Sequence, residues 1–235
     1  MIEIQNITKT YGASTVLNIE HLLINKGESV GLVGNNGAGK TTFFSALLDL
    51  IKLSTGTIQN NGNVVQESEA WKSTTAAFID ESFLIGYLTA EEYFYFIGEL
   101  RGQNKATVDA LLSKYETFFN GEILKQKKYL RDLSKGNQKK AGIVAAFIGN
   151  PEVIILDEPF ANLDPTTQIR LKQILKELAV DPKITLLVSS HDLIHVTEVC
   201  DRIVVMDKGN LVKDISTSVQ TLKELEEHFN PAHLI

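Results

Sequence analysis

A chain of 235 residues can bury about 70% of the surface that its unfolded form exposes, so it needs neither a disulfide nor a structural metal in order to fold. Its 43% hydrophobic and 22% charged residues exclude a disordered or collagen-like polypeptide and a long coiled coil. The 23 basic and 29 acidic residues leave a formal charge of −6, which argues against a surface built to grip nucleic acid; the one cysteine, Cys200, excludes an intrachain disulfide and reads as a small buried residue.

Ile2, Ile4 and Ile7 open a strand, and Val16 to Ile24 reads as a second one ending at the turn Asn25-Lys26-Gly27, which together suggest antiparallel sheet. Glu28 to Val33 is a short apolar strand that runs into Gly34-Asn35-Asn36-Gly37-Ala38-Gly39-Lys40-Thr41. After it, Thr42 to Leu50 has helical character, so the order is strand, glycine loop, helix. Thr55 to Val65 alternates β-prone pieces with Gly and Asn turns, whereas Ala90 to Leu100 and Thr107 to Phe119 have the apolar spacing of helices. Val153 to Leu156 and Thr185 to Val188 are unbroken apolar runs typical of strands covered on both faces. An amphipathic helix between them carries Leu171, Ile174, Leu175 and Leu178, and this alternation predicts an α/β fold with a parallel sheet. A further helix is expected around His195, then a hairpin of Ile203 to Met206 and Leu211 to Ile215 about Asp207-Lys208-Gly209-Asn210, and a last helix over Thr221 to Phe229. No run reaches the ~18 apolar residues of a membrane span. The densest is Ala141 to Gly149, and the first residues lack a signal-peptide pattern, so the expectation is a cytoplasmic chain that meets a membrane only through a partner.

The glycine loop satisfies GxxxxGK[ST] in full and in the required strand-to-helix context. Gly34, Gly37 and Gly39 let the backbone turn tightly and aim N–H groups, together with those of Asn35, Asn36 and Ala38, at an anion on the helix N-terminus. Lys40 then reaches the β- and γ-phosphates of a triphosphate, Thr41 offers a hydroxyl to Mg²⁺, and Thr42 adds a donor toward the α-phosphate. Val153-Ile154-Ile155-Leu156-Asp157-Glu158-Pro159 places two acids just past a buried strand, where ligands of open α/β sheets collect. Asp157 would orient magnesium, and Glu158 would polarise the water that attacks the γ-phosphate.

The ordered set resembles the ATP-binding subunit of ABC transporters over nearly the whole chain. Leu133-Ser134-Lys135-Gly136-Asn137 looks like the LSGGQ signature, and Asp157 follows Ser134 by 23 residues. Ala161-Asn162-Leu163-Asp164-Pro165 resembles the D-loop, Ser189-Ser190-His191-Asp192 the switch-histidine loop, and Lys9-Thr10-Tyr11-Gly12 the segment whose aromatic stacks on adenine. Taken singly, His191 would read as a surface histidine and Tyr11 as a core or edge aromatic. The resemblance implies one ABC ATPase domain over residues 1–235. In it, about 1–80 and 151–235 form a P-loop NTPase core with an N-terminal antiparallel β subdomain, and about 81–150 form a helical subdomain. It implies ATP and Mg²⁺ as ligands, and a head-to-tail homodimer or pseudo-symmetric heterodimer in which ATP lies between the glycine loop of one subunit and Ser134 and Gly136 of the other. His191 would hold the γ-phosphate and attacking water, and Asp164 would link the two sites.

The chain departs from that pattern in places. Lys135 and Asn137 stand where the signature has Gly and Gln, and the KG form resembles exporters with simple six-helix membrane subunits. Ala77-Phe78-Ile79-Asp80-Glu81 aligns with the Q-loop, making Glu81 the candidate magnesium and water contact in place of Gln, and Asn162 replaces a small D-loop residue. Ser82 to Leu100 is rich in aromatics and should include the face toward the transmembrane permease subunits, with Phe83 and Tyr87 as the expected exposed pair and the others as core. Trp71 reads as loop packing, and Lys125 to Lys128 as a solvated basic turn too short for nucleic acid. The favoured reading is an ATPase that powers export from the inner face of the cell membrane. The alternative is a soluble ABC ATPase acting on a cytosolic assembly such as iron-sulfur cluster biogenesis. A GTPase lacks its NKxD motif here, and a small-molecule kinase leaves the signature segment unexplained.

Overall fold

Isoleucine spacing builds the first layer of the molecule. In β1 (Ile2–Tyr11), Ile2 and Ile4 face inward, and Asn6, at φ 49, shifts the register so that Ile7 faces inward as well. β2 (Ser14–Ile24) pairs with it antiparallel, and β4 (Thr55–Asn60) and β5 (Asn63–Val64) complete a four-stranded sheet in the order β2-β1-β4-β5. The computed structural model describes residues 1–229.

The second sheet has the order β10-β9-β3-β8-β7-β6. Its strands are β3 (Ser29–Val33), β6 (Thr75–Phe78), β7 (Val153–Leu156), β8 (Thr185–Ser190), β9 (Arg202–Asp207) and β10 (Asn210–Ser216). All neighbours are parallel except the edge pair β9 and β10. The apolar run of β7 is explained by burial on both faces. Ile154 and Leu156 pack with Phe94, Phe118 and Phe147 on one side, whereas Val153 and Ile155 pack with Phe43, Ile4 and Ile58 on the other.

The helices are α1 (Lys40–Leu47), α2 (Ala90–Leu100), α3 (Lys105–Lys114), α4 (Glu116–Phe119), α5 (Lys135–Ala145), α6 (Pro165–Ala179), α7 (Leu193–Val199) and α8 (Thr221–Phe229). α1 is held between the two sheets through Phe43 and Phe44. α2 to α5 all lie between β6 and β7 in the chain, and α2 starts on a capping box in which Thr89 and Glu92 satisfy each other's backbone N–H.

Three elements differ from the sequence reading. Thr107 to Phe119 is two helices, because Tyr115 leaves helical geometry and packs on Phe147 with ring centroids 5.5 Å apart. β6 was not anticipated, and α1 begins at Lys40 and ends at Leu47 rather than running from Thr42 to Leu50. Cys200 is buried, which pushes its thiol up, and Trp71 is buried in a short 3₁₀ turn with its indole N–H on the Val65 carbonyl.

Candidate active site

The glycine loop leaves β3 at Val33 and enters α1 at Lys40. Gly39 sits at φ 108, a left-handed turn that an L side chain rarely adopts, and its carbonyl accepts the first helical bond from the Phe43 N–H at 2.8 Å. The turn between β9 and β10 supports the loop from outside, since the Gly209 N–H donates to the Ala38 carbonyl at 2.8 Å. Lys40 folds back over the loop. Its buried ammonium donates to the Gly34 carbonyl at 2.7 Å and lies 3.3 Å from Glu158 Oε1. Asn36, Gly37, Ala38, Gly39, Lys40, Thr41 and Thr42 line a cavity of about 450 Å³ with Glu158. Thr15, Val16 and Lys208, which belong to no sequence motif, complete that wall.

Asp157 and Glu158 follow β7 and diverge at once. Asp157 is buried; its Oδ2 accepts the Thr41 hydroxyl, and its Oδ1 accepts the Ser189 hydroxyl. Burial pushes its carboxyl above the ordinary aspartate value, although both hydroxyls pull the other way. Glu158 is held at φ 45, a left-handed conformation that costs a non-glycine residue about 1–3 kcal/mol and points to an imposed geometry. Its N–H donates to Ser189 Oγ at 2.9 Å and its carbonyl accepts the Lys139 ammonium at 2.9 Å. With the backbone fixed at both ends, Oε2 lies 2.8 Å from Nδ1 of the exposed His191, and buried Oε1 has the Lys40 ion pair but no hydrogen bond. Ser189, which holds both acids, is a functional residue that the sequence marked only as part of a loop.

Thr41 and Asp157 thus come together as a hard oxygen pair, a donor set that suits Mg²⁺, an ion usually bound by one or two protein oxygens plus substrate phosphates. Among the described residues no cluster of three or more His, Cys, Asp or Glu would hold a metal without such help. Glu81 is placed differently. It lies in a 3₁₀ turn that Asp80 caps, with Oε1 3.6 Å from the Lys139 ammonium.

Ser134, Gly136 and Asp164 do not line the cavity and form a second cluster. Ser134 caps α5 by accepting the Asn137 N–H at 3.2 Å, and a Cβ on Gly136 would stand 3.0 Å from the Asn162 carbonyl, so the α5 N-terminus packs on the 161–165 loop. Asp164 caps α6, accepting the Thr167 N–H at 3.0 Å and the Thr167 hydroxyl; these bonds hold its carboxyl below the usual range. Tyr11 is 54% exposed at the end of β1, with the Lys9 ammonium 4.5 Å above its ring and its side chain outside the cavity wall.

A strand–glycine loop–helix cradle after β3, a histidine after the adjacent strand β8 and paired acids after β7, one strand further out, define a P-loop nucleoside triphosphatase. The family model described as ABC transporter matches residues 17–161. The chain is 34% identical over 220 residues to the bacitracin transport ATP-binding protein BcrA of Enterococcus faecalis, covering 93% of this chain and 70% of that one. It is 30% identical over 234 residues to the lantibiotic transport ATP-binding protein SrtF of Streptococcus pyogenes, covering 98% and 96%. A solved ATP-binding subunit of an ABC transporter superposes with TM-score 0.82 at 26% identity, covering 97% of this chain and 93% of that chain. A dimeric post-hydrolysis cassette bound to ADP and Pi shares the fold, with TM-score 0.81 at 23% identity over 93% and 99%. The chain belongs to the ABC transporter family, as its nucleotide-binding ATPase subunit.

Proposed function

We propose that this subunit binds Mg-ATP in the α1 cavity and hydrolyses it within a head-to-tail dimer of such subunits, driving export through transmembrane permease subunits. The names of relatives support the direction. One is similar at 30% identity over 213 residues, the linearmycin resistance ATP-binding protein LnrL of Bacillus subtilis, and others are named for bacitracin and lantibiotic transport. These transporter names set aside the cytosolic assembly-factor alternative. No helix among the described residues is long and apolar enough to cross a membrane; the subunit is placed in the cytoplasm, held peripherally at the inner face through its permease, on the transporter names of its relatives.

The Lys40–Glu158–His191 line carries the reading. Backbone N–H groups of residues 35–39 and the start of α1 receive the polyphosphate, and Lys40 exchanges its Glu158 contact for the β- and γ-phosphates. Glu158, released at Oε1 and held at the backbone, accepts the proton of the attacking water, and His191 steadies the γ-phosphate. Thr41 and Asp157 are the residues that would hold Mg²⁺, which would supply neutralising charge on the phosphates when bound, whereas Glu81, the Q-loop candidate, is turned to the Lys139 ammonium instead. Tyr11 stacks on the adenine. Ser134, Gly136 and Asp164 of the second subunit close over the γ-phosphate, so ADP, lacking that group, no longer bridges the pair.

The permease side is the groove of about 680 Å³ lined by Leu48, Leu50, Trp71, Phe83, Leu84 and Leu100. Phe83 is 56% and Tyr87 72% exposed, as the sequence suggests, and Tyr93 and Phe94 are core, but Phe96, expected as core, is exposed as well. Glu158→Gln tests the assignment: ATP binding persists, turnover falls by about 10²–10⁴-fold, and an ATP-bound dimer accumulates on size exclusion. Turnover at the wild-type rate overturns the general-base role.

A further inference from the structure

Lys139 belongs to none of the recognised motifs, yet its ammonium lies where two of them meet. It projects from α5, one turn past Ser134, and is buried with only 5% of its surface exposed. A lysine so enclosed requires compensation for its charge and its three donors. Two partners face it. The Glu158 carbonyl accepts at 2.9 Å, and Glu81 Oε1 lies 3.6 Å away, with the Phe78 ring 5.8 Å from the ammonium on another side. The Glu81 oxygen is itself buried and has no hydrogen bond, so the Lys139 charge is what compensates it. Lys140, its neighbour, is paired to Glu122 at 2.8 Å on a different contact, so the two lysines are not interchangeable.

We propose that Lys139 is a positioning residue for hydrolysis: an ionic latch that fixes the Glu158 peptide in its left-handed turn and makes that geometry depend on where the Glu81 segment sits. The same segment carries Phe83 and Tyr87, so displacement of the permease-facing turn pulls the Glu81 carboxylate from the ammonium and frees the peptide of the catalytic base. The inference rests on the ATPase reading above and adds to it a route by which α5 and the 80–88 segment report to the base. Neither partner transfers a proton in this scheme, and Lys139 touches no substrate atom.

The experiment uses the full chain with three substitutions. Lys139→Met removes charge and donor, Lys139→Gln keeps an amide donor for the Glu158 carbonyl and removes the ion pair, and Lys139→Arg keeps both. Lys139→Met is expected to lower kcat by at least tenfold, with KM and fluorescent-ATP affinity within twofold of wild type. Lys139→Gln should be intermediate, and Lys139→Arg should recover most of the rate. Amide exchange in Lys139→Met should rise together in residues 80–88 and 158–161, whereas purely local packing would confine the rise to α5. If Lys139→Met fails to fold, Lys139→Gln carries the same exchange test. Glu81→Gln combined with Lys139→Gln should cost no more in kcat than the worse single change, since the two act through one contact. A wild-type kcat in Lys139→Gln and Lys139→Met, or an exchange rise confined to α5, overturns the latch. Glu158→Gln run beside them separates the failures: if it is inert while the Lys139 variants are fully active, the latch alone is wrong, and if it turns over normally, the ATPase assignment of Glu158 is wrong first.

Discussion

The cradle side and the signature side of this molecule are built from the same materials and finished differently. Around Lys40 the polar groups are matched inside one chain: Thr41 and Ser189 on Asp157, Lys40 between Gly34 and Glu158, and His191 on Glu158. Across the molecule, the exposed Ser134 and Asp164 engage only the backbone and side-chain groups of their own first helical turns. A helix N-terminus carries a positive dipole end, and the first turn of α5 holds no acidic residue of its own, Glu122 reaching it through the side chains of Asn137 and Lys140. The cradle is thus matched within one chain, whereas in the proposed dimer the signature side receives its anion from a second subunit.

The largest test of that contrast is Ser134→Arg. A bulky cation in place of the cap should abolish the ATP-dependent dimer, and turnover with it, while fluorescent-nucleotide affinity of the isolated subunit stays within about twofold, because the cradle lies elsewhere. Dimerisation by light scattering that matches wild type would show that the α5 N-terminus does not complete the site.

Ser189→Ala attacks the cradle instead and should have a smaller but double effect. It strips an acceptor from the Glu158 N–H and a donor from Asp157, both at least partly buried, and leaving such a group unmatched costs about 1–3 kcal/mol of stability. Denaturant melts should show the loss, and turnover should fall with little change in dimer formation at saturating ATP. The two substitutions therefore separate: one removes assembly and spares binding, the other loosens the acids and spares assembly.

The sequence exposed these two sides unequally, for physical reasons. The cradle is contiguous, so Gly34 to Thr42 could be read as strand, loop and helix from local chemistry, and β7 declared itself because both of its faces are buried. β6 escaped notice because Thr75-Ala76-Ala77-Phe78 is four residues of little β-branching, stabilised by parallel pairing to β7 rather than by its own propensity. The break at Tyr115 is likewise tertiary: the spacing of Thr107 to Phe119 is helical throughout, but Phe118 and Phe119 must enter the core from a different direction. Thr15, Val16 and Lys208 join the cavity from strand ends remote in the chain, and the Lys139–Glu81 contact joins α5 to the segment after β6, so no spacing rule reveals either. Exposure of Phe83 and Tyr87 was legible only as a contrast with buried neighbours, since aromatic density alone does not distinguish a docking face from core.

The smallest effect concerns Asp164, and it separates a capping role from a bridging one. Its carboxyl is held below the ordinary value of 3.8 by the Thr167 hydroxyl and backbone N–H groups. A depressed carboxylate stabilises the folded state while ionised, so the contribution is full above about pH 4 and is lost as pH falls through the lower folded-state value. Asp164→Asn keeps a competent cap and removes the charge. Its thermal midpoint should sit slightly below wild type at neutral pH, and the two curves should converge as pH falls through the lowered folded-state value. If capping is the whole of its role, the ATP-dependent dimer formed in a Glu158→Gln background is unchanged by the second substitution. If Asp164 also reaches the partner subunit, that dimer weakens out of proportion to the small loss in midpoint, because the missing charge then counts across the interface as well as within α6.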